Sequence, residues 1–328
     1  MKKLLLITLL LIIITSFSFA QNTPQVYICG NDGDDAVYWL NGQRFVLSKV
    51  NETATAKGIA VSGQNIYIIG SDGNDAVYWL NGRRFILPKT TNSANATGIA
   101  ISGSDVYISG VDGVEALGGH SEAVYWLNGR RVALPNIGES EAGATAIAVS
   151  GSNVCIAGYN GMDAAYWLNG RLNILPGTSS YTRATAVAIS GSDLYIAGFS
   201  MTGSTRYQDS YAMYWKNGWL NVLQRGANSD AGANAIAISG NNIFITGSEY
   251  CHNEGLSTIG YWIVNNGSRI ILPREAAVAI GLAITIFNSD IYIAGLDGEN
   301  AVYWLNNQRF VLPRSLGNTA VATGIVVM

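Results

Sequence analysis

The stretch Ala36-Val37-Tyr38-Trp39-Leu40-Asn41-Gly42 returns unchanged at residues 76–82 and 123–129 and, in altered form, elsewhere along the chain. Its Tyr-Trp pair occurs seven times, at Tyr38-Trp39, Tyr78-Trp79, Tyr125-Trp126, Tyr166-Trp167, Tyr214-Trp215, Tyr261-Trp262 and Tyr303-Trp304. Successive pairs lie 40 to 48 residues apart, which is the length of a four-stranded propeller blade and exceeds that of a leucine-rich or ankyrin repeat. The sequence therefore predicts an all-β fold, a seven-bladed β-propeller of four-stranded antiparallel blades.

Each unit reads as four short strands separated by turns. In the first strand small residues alternate with large ones, as in Gly58-Ile59-Ala60-Val61, which suits the crowded position nearest a propeller axis. The second strand is β-branched and aromatic, as in Val106-Tyr107-Ile108, and ends at glycine, which predicts a buried central strand. In the third, the adjacent Tyr and Trp must point to opposite faces of the sheet, so we expect each to pack against a different neighbouring blade.

Asn-Gly pairs predict the hairpin between the third and fourth strands, because both residues of that tight turn need a positive φ. The pairs stand at residues 41–42, 81–82, 128–129, 169–170, 217–218 and 266–267. Near the start of the fourth strand an arginine recurs, at Arg44, Arg84, Arg131, Arg269 and Arg309. We expect these arginines to guard the free edge of the outermost strand against edge-to-edge pairing.

The two ends of the repeat region complement each other. Residues 25–30 (QVYICG) match a second strand that has no first strand before it, and residues 322–328 (ATGIVVM) match a first strand. We therefore expect the C-terminal strand to join the N-terminal blade and to close the ring.

Residues 1–20 (MKKLLLITLLLIIITSFSFA) predict a secretory signal peptide cleaved after Ala20, because two lysines precede an apolar run that ends in small residues. A membrane anchor is the alternative, but the apolar run is short for a spanning helix. We expect residues 21–328 to form a single propeller domain that is secreted, periplasmic or at the cell surface, monomeric and not inserted in a membrane. The formal net charge of −3 argues against nucleic acid as a partner.

Three cysteines are an odd number for an exported chain. Cys29 and Cys155 belong to the first and fourth units, which lie nearly opposite each other in a ring of seven. A disulfide needs Cα atoms within about 7 Å, so we expect no bridge between them but two buried, small apolar residues. Cys251 is expected to be a loop thiol.

The phrase Trp-x-Asn-Gly, followed by Leu and, after a gap, by Ala-x-x-Ile-x-x-Ser-Gly, resembles the HAF-type repeats of bacterial extracellular propellers. It is more loosely similar to kelch-type propellers, although the Gly-Gly pair of kelch repeats is absent from the expected strand end and the Gly-His and Trp-Asp signature of WD repeats is missing too. The likeness covers all seven units. It implies an exported propeller and passes on no catalytic residue.

Three units are longer than the others between their second and third strands. The inserts are residues 114–123, 200–212 and 249–260, and connections of this kind share one face of the ring with the connections between blades. Repeated positions build the scaffold, so binding residues should lie where a unit departs from its siblings. The candidate ligand-binding residues on this face are Glu115, His120, Glu122, Tyr181, Arg183, Arg206, Tyr207, Asp209, Tyr250, His252 and Glu254.

These residue types suit a carbohydrate or protein ligand, because Tyr and Arg provide contact area and directional hydrogen bonds. Solvated loops without a ligand are the alternative. A divalent metal between His120, His252 and a carboxylate is conceivable, but no spacing demands it, and we expect neither a metal nor a cofactor. Residues 32–35 (DGDD) invite a calcium interpretation, but Asp-Gly recurs at residues 72–73, 112–113 and 297–298, which favours a β-turn.

Catalytic motifs are missing from the sequence: it has no nucleophile elbow, no phosphate-binding glycine loop and no paired-cysteine metal motif. We therefore expect a non-catalytic recognition or scaffold module rather than an enzyme. Two alternatives stay open. One is an extracellular glycosidase or lyase that uses loop carboxylates such as Glu122 or Asp209, and the other is a purely structural surface protein.

Overall fold

The structure, a computed structural model, describes residues 23–113, 121–138, 141–179, 181–202 and 209–328. These residues form seven four-stranded antiparallel sheets, and each sheet is one blade of a seven-bladed β-propeller. The predicted fold class is confirmed.

The strands are numbered in chain order and the blades from the N-terminal end. Blade 1 contains β1 (Val26–Asp32), β2 (Asp35–Leu40), β3 (Gln43–Val46) and the last strand of the chain, β28 (Ala320–Val327). Blade 2 contains β4 (Ala54–Ser62), β5 (Asn65–Asp72), β6 (Asp75–Leu80) and β7 (Arg83–Ile86). Blade 3 contains β8 (Ala94–Ser102), β9 (Asp105–Gly113), β10 (Ser121–Leu127) and β11 (Arg130–Ala133).

Blade 4 contains β12 (Ala142–Ser150), β13 (Asn153–Asn160), β14 (Asp163–Leu168) and β15 (Arg171–Ile174). Blade 5 contains β16 (Tyr181–Ser190), β17 (Asp193–Thr202), β18 (Asp209–Lys216) and β19 (Trp219–Val222). Blade 6 contains β20 (Ser229–Ser239), β21 (Asn242–Cys251), β22 (Leu256–Ile263) and β23 (Ser268–Ile271). Blade 7 contains β24 (Ala279–Phe287), β25 (Asp290–Asp297), β26 (Asn300–Leu305) and β27 (Gln308–Val311).

The first strand of each blade is the innermost, as the alternation of small and large residues predicts. The strands β4, β8, β12, β16, β20, β24 and β28 contact one another in turn around the ring and so surround its axis. Turns that join first to second strands and third to fourth strands lie on one face, here called the short-turn face. Connections from second to third strands and between blades lie on the other, the insert-bearing face.

The C-terminal strand closes the ring, as predicted. β28 pairs antiparallel with β1 from Val26 opposite Val327 to Asp32 opposite Ala320, and the register shifts once, between Cys29 and Gly30. Beyond the strands, the backbone N–H of Gln25 donates to the carbonyl of Met328 at 2.8 Å, and the N–H of Met328 donates back to Gln25 at 3.1 Å. The first and the last strand of the described residues therefore share one sheet.

The Tyr-Trp pairs join neighbouring blades. This confirms the prediction that the Tyr and Trp side chains of a pair point to opposite faces of the sheet. Between blades 2 and 3, a single buried cluster holds Trp126 of blade 3 and Tyr78 of blade 2. The indole N–H of Trp126 also donates to the carbonyl oxygen of Pro88, at the end of blade 2, at 2.8 Å. All seven Tyr-Trp tryptophans make this inter-blade hydrogen bond, with acceptors Pro313, Ser48, Pro88, Pro135, Pro176, Gln224 and Pro273. Each bond satisfies a buried donor while it holds two blades together.

The arginines of the fourth strand are not the edge guards that the sequence predicts. Arg131 lies beside Trp126 in the cross-strand register, and its Nε donates to the Asp112 carboxylate at the end of β9 at 2.6 Å. The same carboxylate accepts hydrogen bonds from the backbone N–H groups of Thr90 and Thr91, in the connection from blade 2. The expected β-turn follows the Asp at Asp32-Gly33, Asp72-Gly73 and Asp297-Gly298, where glycine has φ of 59°, 57° and 65°, whereas Gly113 is the last residue of β9. The Asp also fixes the path between blades. Equivalent pairs are Arg44–Asp32, Arg84–Asp72, Arg269–Glu249 and Arg309–Asp297.

The acidic residue and the arginine occur together in five blades and are replaced together in two. Blade 4 has Asn160 and Leu172 at these positions, and blade 5 has Ser200 and Leu220. Asn160 keeps the structural role without charge, because its Oδ1 accepts the backbone N–H of Ile137 at 2.8 Å. A buried carboxylate needs a cation, whereas a neutral amide or hydroxyl does not, so the pair acts as one unit of the scaffold.

In blade 1, Asp32 pairs with Arg44 while Asp35 pairs with Lys49, so the two carboxylates contact different cations.

Five of the six Asn-Gly hairpins are the predicted two-residue turns with positive φ at both residues, at residues 41–42, 81–82, 128–129, 169–170 and 217–218. The prediction is wrong for Asn266-Gly267. There Ile263 pairs with Ser268 across four residues, and Val264–Asn266 form a 3-10 turn that ends at Gly267 with φ 69°. The connection in this unit is two residues longer than the predicted two-residue hairpin.

Cys29 and Cys155 are fully buried, as expected, and all three cysteines are free thiols. Burial raises the pKa of both buried thiols to about 12. Cys251 ends β21 rather than lying in a loop, and it is partly exposed.

The predicted signal peptide, residues 1–20, lies outside the described residues. Within the described ranges, no helix is long and apolar enough to cross a membrane.

Candidate functional site

The structure describes part of the predicted ligand-binding set. Glu122, Tyr181, Arg183, Asp209, Tyr250, His252 and Glu254 are described, and all of them lie on the insert-bearing face, in blades 3, 5 and 6. Glu115, His120, Arg206 and Tyr207 lie outside the described residues.

The insert of blade 6 is a hairpin extension of the sheet rather than a loop. β21 and β22 stay paired from Ser248 opposite Ile259 to Cys251 opposite Leu256, and residues 252–255 form the turn. β20 begins at Ser229 and accompanies the extension. Regular backbone pairing therefore positions the side chains that this insert presents, Tyr250 among them.

His252, Asp230 and Tyr250 form a compact group at the tip of blade 6. Nε2 of His252 lies 2.9 Å from Oδ2 of Asp230, and the rings of Tyr250 and His252 meet edge to face with centroids 5.2 Å apart. Asp230 is the cross-strand partner of Tyr250. The Asp230 carboxylate and the Tyr250 ring thus hold the imidazole in one orientation, and 42% of Tyr250 stays exposed to solvent.

Arg225 extends this group toward blade 5. Its Nη1 lies 4.0 Å from Oδ1 of Asp209 and 4.0 Å from Oδ1 of Asp230, and its guanidinium stacks 4.1 Å from the centroid of the Tyr211 ring. The same guanidinium donates to backbone carbonyls of both blades. Asp209, Arg225, Asp230, Tyr250 and His252 are called the blade 5–6 cluster below.

Arg183 lies between two aromatic rings at the junction of blades 4 and 5. Its guanidinium carbon is 4.2 Å from the ring centroid of Tyr159 and 4.0 Å from that of Tyr181. Tyr159 covers Gly143, the blade 4 residue that corresponds to Arg183, and a Cβ there would come within 2.5 Å of the ring. Such stacking fixes the cation on the insert-bearing face, and Nη1 of Arg183 also donates to the carbonyl oxygen of Thr182 at 3.0 Å.

The two remaining candidates have simpler surroundings. Oε2 of Glu122 lies 2.5 Å from Nη2 of Arg131, so this carboxylate extends the Asp112–Arg131 pair of the scaffold. Its side chain is 49% exposed. Glu254 lies in the exposed turn of the blade 6 hairpin.

Metal binding finds no geometric support in the part of the chain that is described, where no three His, Cys, Asp or Glu side chains lie together in a way that could hold an ion. His252 is engaged by Asp230 instead. The alternative that pairs it with His120 involves a residue outside the described ranges.

A cleft on the short-turn face, between blades 5 and 6, was not predicted. Its volume is about 590 Å³, and it is lined on one side by Asp193, Tyr195, Tyr214 and Lys216 and on the other by residues that include Asn241 and Asn265. A second groove of about 260 Å³ shares Tyr214 and Val264 with it and continues toward the outer strands. The four-residue turn of blade 6 supplies Val264 and Asn265, so this cleft exists where that turn departs from its siblings.

The polar wall of the cleft is organised around Asp193. Its Oδ2 lies 2.9 Å from Nζ of Lys216 and accepts a hydrogen bond from the hydroxyl of Tyr195 at 3.3 Å. Hydrogen bonds from Asn217 and Lys216 lower the pKa of the carboxyl, and the hydrogen bond to Asp193 raises the pKa of Lys216. Burial raises the pKa of Tyr214. The ion pair therefore stays charged on both sides at neutral pH.

Comparison with known proteins supports the fold alone. No family model and no curated protein matches this chain. Among solved structures, the crystal structure of the computationally designed Ika8 protein is similar, with a TM-score of 0.50 and 14% sequence identity over 92% of this chain and 89% of that chain. An identity this low carries no argument about ligand or activity.

The sequence contains signals for the cleft, but each of them is a small departure from the repeat. Lys216 replaces the leucine found at Leu40, Leu80, Leu127, Leu168 and Leu305, and Trp219 is the one tryptophan outside the Tyr-Trp pairs. The turn of blade 6 is two residues longer than Asn-Gly hairpins allow. Each change lies on the short-turn face, where the turns look uniform in sequence. The inserts on the opposite face are much longer and therefore easier to recognise.

Proposed function

We propose that this protein is an exported recognition module that binds a carbohydrate or protein ligand on its insert-bearing face, in the sector of blades 4 to 6. Export rests on the signal peptide at residues 1–20, and the resemblance to HAF-type extracellular repeats agrees with it. A propeller scaffold with variable connections on one face is suited to this role, because the connections can change without loss of the ring.

The observation that carries the proposal is the blade 5–6 cluster. Arg225 is held between Asp209 and Asp230 by hydrogen bonds to the carbonyl oxygens of Ser210 and Ser229, and Asp230 holds His252, so little ordering of these two side chains is needed when a ligand binds. Tyr250 stands beside them with a large exposed ring. Tyr and Arg dominate the energetics of recognition surfaces, since they combine area with hydrogen bonding.

A second surface element supports the same face. Arg183 presents a guanidinium that two rings hold flat, next to the half-buried Tyr181. A guanidinium held this way donates to carboxylates or to the hydroxyls of a sugar with little loss of entropy. Both elements occur in blades that depart from the repeat, as expected for residues that serve this protein rather than the fold.

The experiment is a glycan-array screen of residues 21–328 beside a variant whose three inserts are shortened to the Asp72-Gly73 turn of blade 2. Binding by the intact chain that disappears in a folded variant would support a ligand site on this face. If every glycan that binds the intact chain also binds the folded variant equally well, the proposal is overturned for sugars. If no glycan binds the intact chain, the carbohydrate half of the proposal fails and a protein ligand is left.

One observation favours a second candidate, an extracellular glycosidase. Because Asp209 and Asp230 each lie 4.0 Å from Arg225, their Oδ1 atoms are no more than about 8 Å apart, and paired carboxylates at this range of separations serve glycoside hydrolysis. Turnover of a bound oligosaccharide that is lost in Asp209→Asn would favour this candidate. Binding without turnover favours the recognition module.

A further inference from the structure

The cleft between blades 5 and 6 on the short-turn face combines four departures from the repeat. On blade 5, Lys216 lines the cleft, and Trp219 is its cross-strand partner on the adjoining outer strand, just outside the lining. The longer turn of blade 6 brings Val264 and Asn265 to the opposite wall. Corresponding residues in the other blades make ordinary strands and hairpins. The ring is closed by residues that the other blades share. None of these departures contributes to its closure.

Trp219 lies on the same side of the blade 5 sheet as the cleft. It is the direct cross-strand partner of Lys216, and direct partners place their side chains on one face. Its side chain is 80% exposed, whereas the other seven tryptophans of the chain, all of them described, are buried. The packing between blades therefore makes no use of this indole.

From these observations, we propose that this cleft is a second binding site and that it takes a neutral oligosaccharide. Trp219 serves as a stacking platform at its outer end. The volume of about 590 Å³ falls within the range of ligand pockets, roughly 300–1,000 Å³. A pyranose presents apolar C–H faces and a rim of hydroxyls. The Tyr214 ring in the cleft and the Trp219 ring beside it match the faces. Asp193, Lys216, Asn241 and Asn265 offer acceptors and donors for the hydroxyls.

The charge of the cleft selects against ionic ligands. Lys216 and Asp193 neutralise each other at 2.9 Å, so neither offers an unpaired charge to an anion or a cation. The pair therefore offers a charged ligand no free countercharge, while the hydroxyls of a neutral ligand add hydrogen bonds to the partly exposed pair. A neutral polyhydroxylated ligand adds bonds without breaking the pair.

The site is independent of the one under Proposed function, because it lies on the opposite face and uses no insert. A variant with shortened inserts should therefore keep it. The two proposals fail separately: loss of binding in the insert variant speaks for the insert-bearing face, and loss in cleft variants speaks for the cleft.

The test is binding of residues 21–328 to an array of neutral and acidic oligosaccharides, with variants that carry sibling residues. Lys216→Leu introduces the residue of five other blades, and Trp219→Arg introduces the residue of blade 4. Asp193→Asn has a matched control in Asp105→Asn, because both carboxylates accept a hydrogen bond from the turn asparagine, at 2.9 and 2.8 Å, but Asp105 has no lysine beside it.

We expect neutral glycans to bind the intact chain and the Asp105→Asn control equally, and at least tenfold more weakly to Lys216→Leu, Trp219→Arg and Asp193→Asn. A saturating glycan should also protect fluorescence from acrylamide, because Trp219 is the accessible indole. Binding unchanged in all three cleft variants would overturn the proposal, as would preference for acidic glycans or the absence of any glycan that shields Trp219. Each introduced residue occurs at the corresponding position of another blade, so we expect the variants to fold. Equal melting temperatures of the variants and the intact chain would exclude unfolding as the cause of lost binding.

Discussion

Asp112 and Arg131 are joined by a hydrogen bond of 2.6 Å between Oδ2 and Nε, across two strands of blade 3. The Asp112 side chain is fully buried, and its carboxylate also accepts the backbone N–H groups and the hydroxyls of Thr90 and Thr91. One ion pair therefore ties together the end of β9, the edge strand β11 and the connection from blade 2.

Arg131→Leu should destabilise the protein by about 3 kcal/mol, because it leaves a buried carboxylate without its cation. Adding Asp112→Asn reproduces the Asn-Leu combination of blade 4, so the double variant should regain more than half of the loss. The free energy of unfolding of each single variant and of the double variant, measured with urea, checks this. Arg130→Leu, an exposed neighbour, is the control and should change little. Additive effects of the two substitutions would contradict the interpretation of the pair as one unit.

Acid should weaken the ring through the same carboxylates. Burial by itself raises the pKa of Asp32, Asp72 and Asp112, but hydrogen bonds from the connection between blades, together with the arginine, outweigh it and hold each pKa below the usual 3.8. A lowered native pKa means that the stabilisation is complete above about pH 4 and is lost as the pH falls through the native values. Urea midpoints measured from pH 6 to pH 2 should stay level and then drop below pH 4. In Asp112→Asn/Arg131→Leu the drop should be shallower, and an equal drop would count against this cause.

Trp126→Phe should cost about 2 kcal/mol of unfolding free energy, because it leaves the carbonyl of Pro88 without its donor and opens space in the interface of blades 2 and 3. Trp219→Phe is the matched control, since Trp219 is exposed and should tolerate the change within about 0.5 kcal/mol. Denaturant titrations of both variants give the comparison. Equal losses would show that the Tyr-Trp tryptophans are not what joins the blades.

Deletion of residues 322–328 should destabilise the protein severely, because it removes most of the strand that pairs with β1 and closes blade 1. We expect the melting temperature to fall by roughly 10 °C or more, or cooperative unfolding to disappear. Deletion of Met328 alone removes the last backbone pair with Gln25 and should have a small effect. A melting temperature unchanged by the longer deletion would contradict the closed ring.

Repetition explains why the fold was predictable from the sequence. Seven copies of one pattern average out local ambiguity, and the unmatched ends at residues 25–30 and 322–328 indicate how the ring closes. The roles of Arg44 and Asp32 were not predictable, because they depend on the diagonal approach of two side chains across three strands. An arginine on an edge strand looks the same in sequence whether it faces solvent or a buried carboxylate.

The candidate site was predictable in location more than in detail. The inserts indicate the insert-bearing face, yet the contacts of His252 with Asp230 and of Arg225 with Asp209 join residues from different strands and connections, which spacing along the chain does not reveal. The cleft arises from two extra residues near Val264 and a Leu-to-Lys change at Lys216. Such small departures acquire meaning when the ring places them side by side.

Recognition on the insert-bearing face is tested most directly by photo-cross-linking from position 250. Benzoylphenylalanine replaces Tyr250, and a matched control replaces Val46, which is exposed on the outer edge of blade 1. Because the benzophenone reacts with nearby C–H bonds, it captures either a glycan or a protein. The account predicts adducts with one ligand from position 250, competed by the unmodified chain and absent from position 46. Adducts that are identical from both positions, or none from position 250 in the presence of a glycan or protein whose binding the shortened inserts abolish, would contradict it.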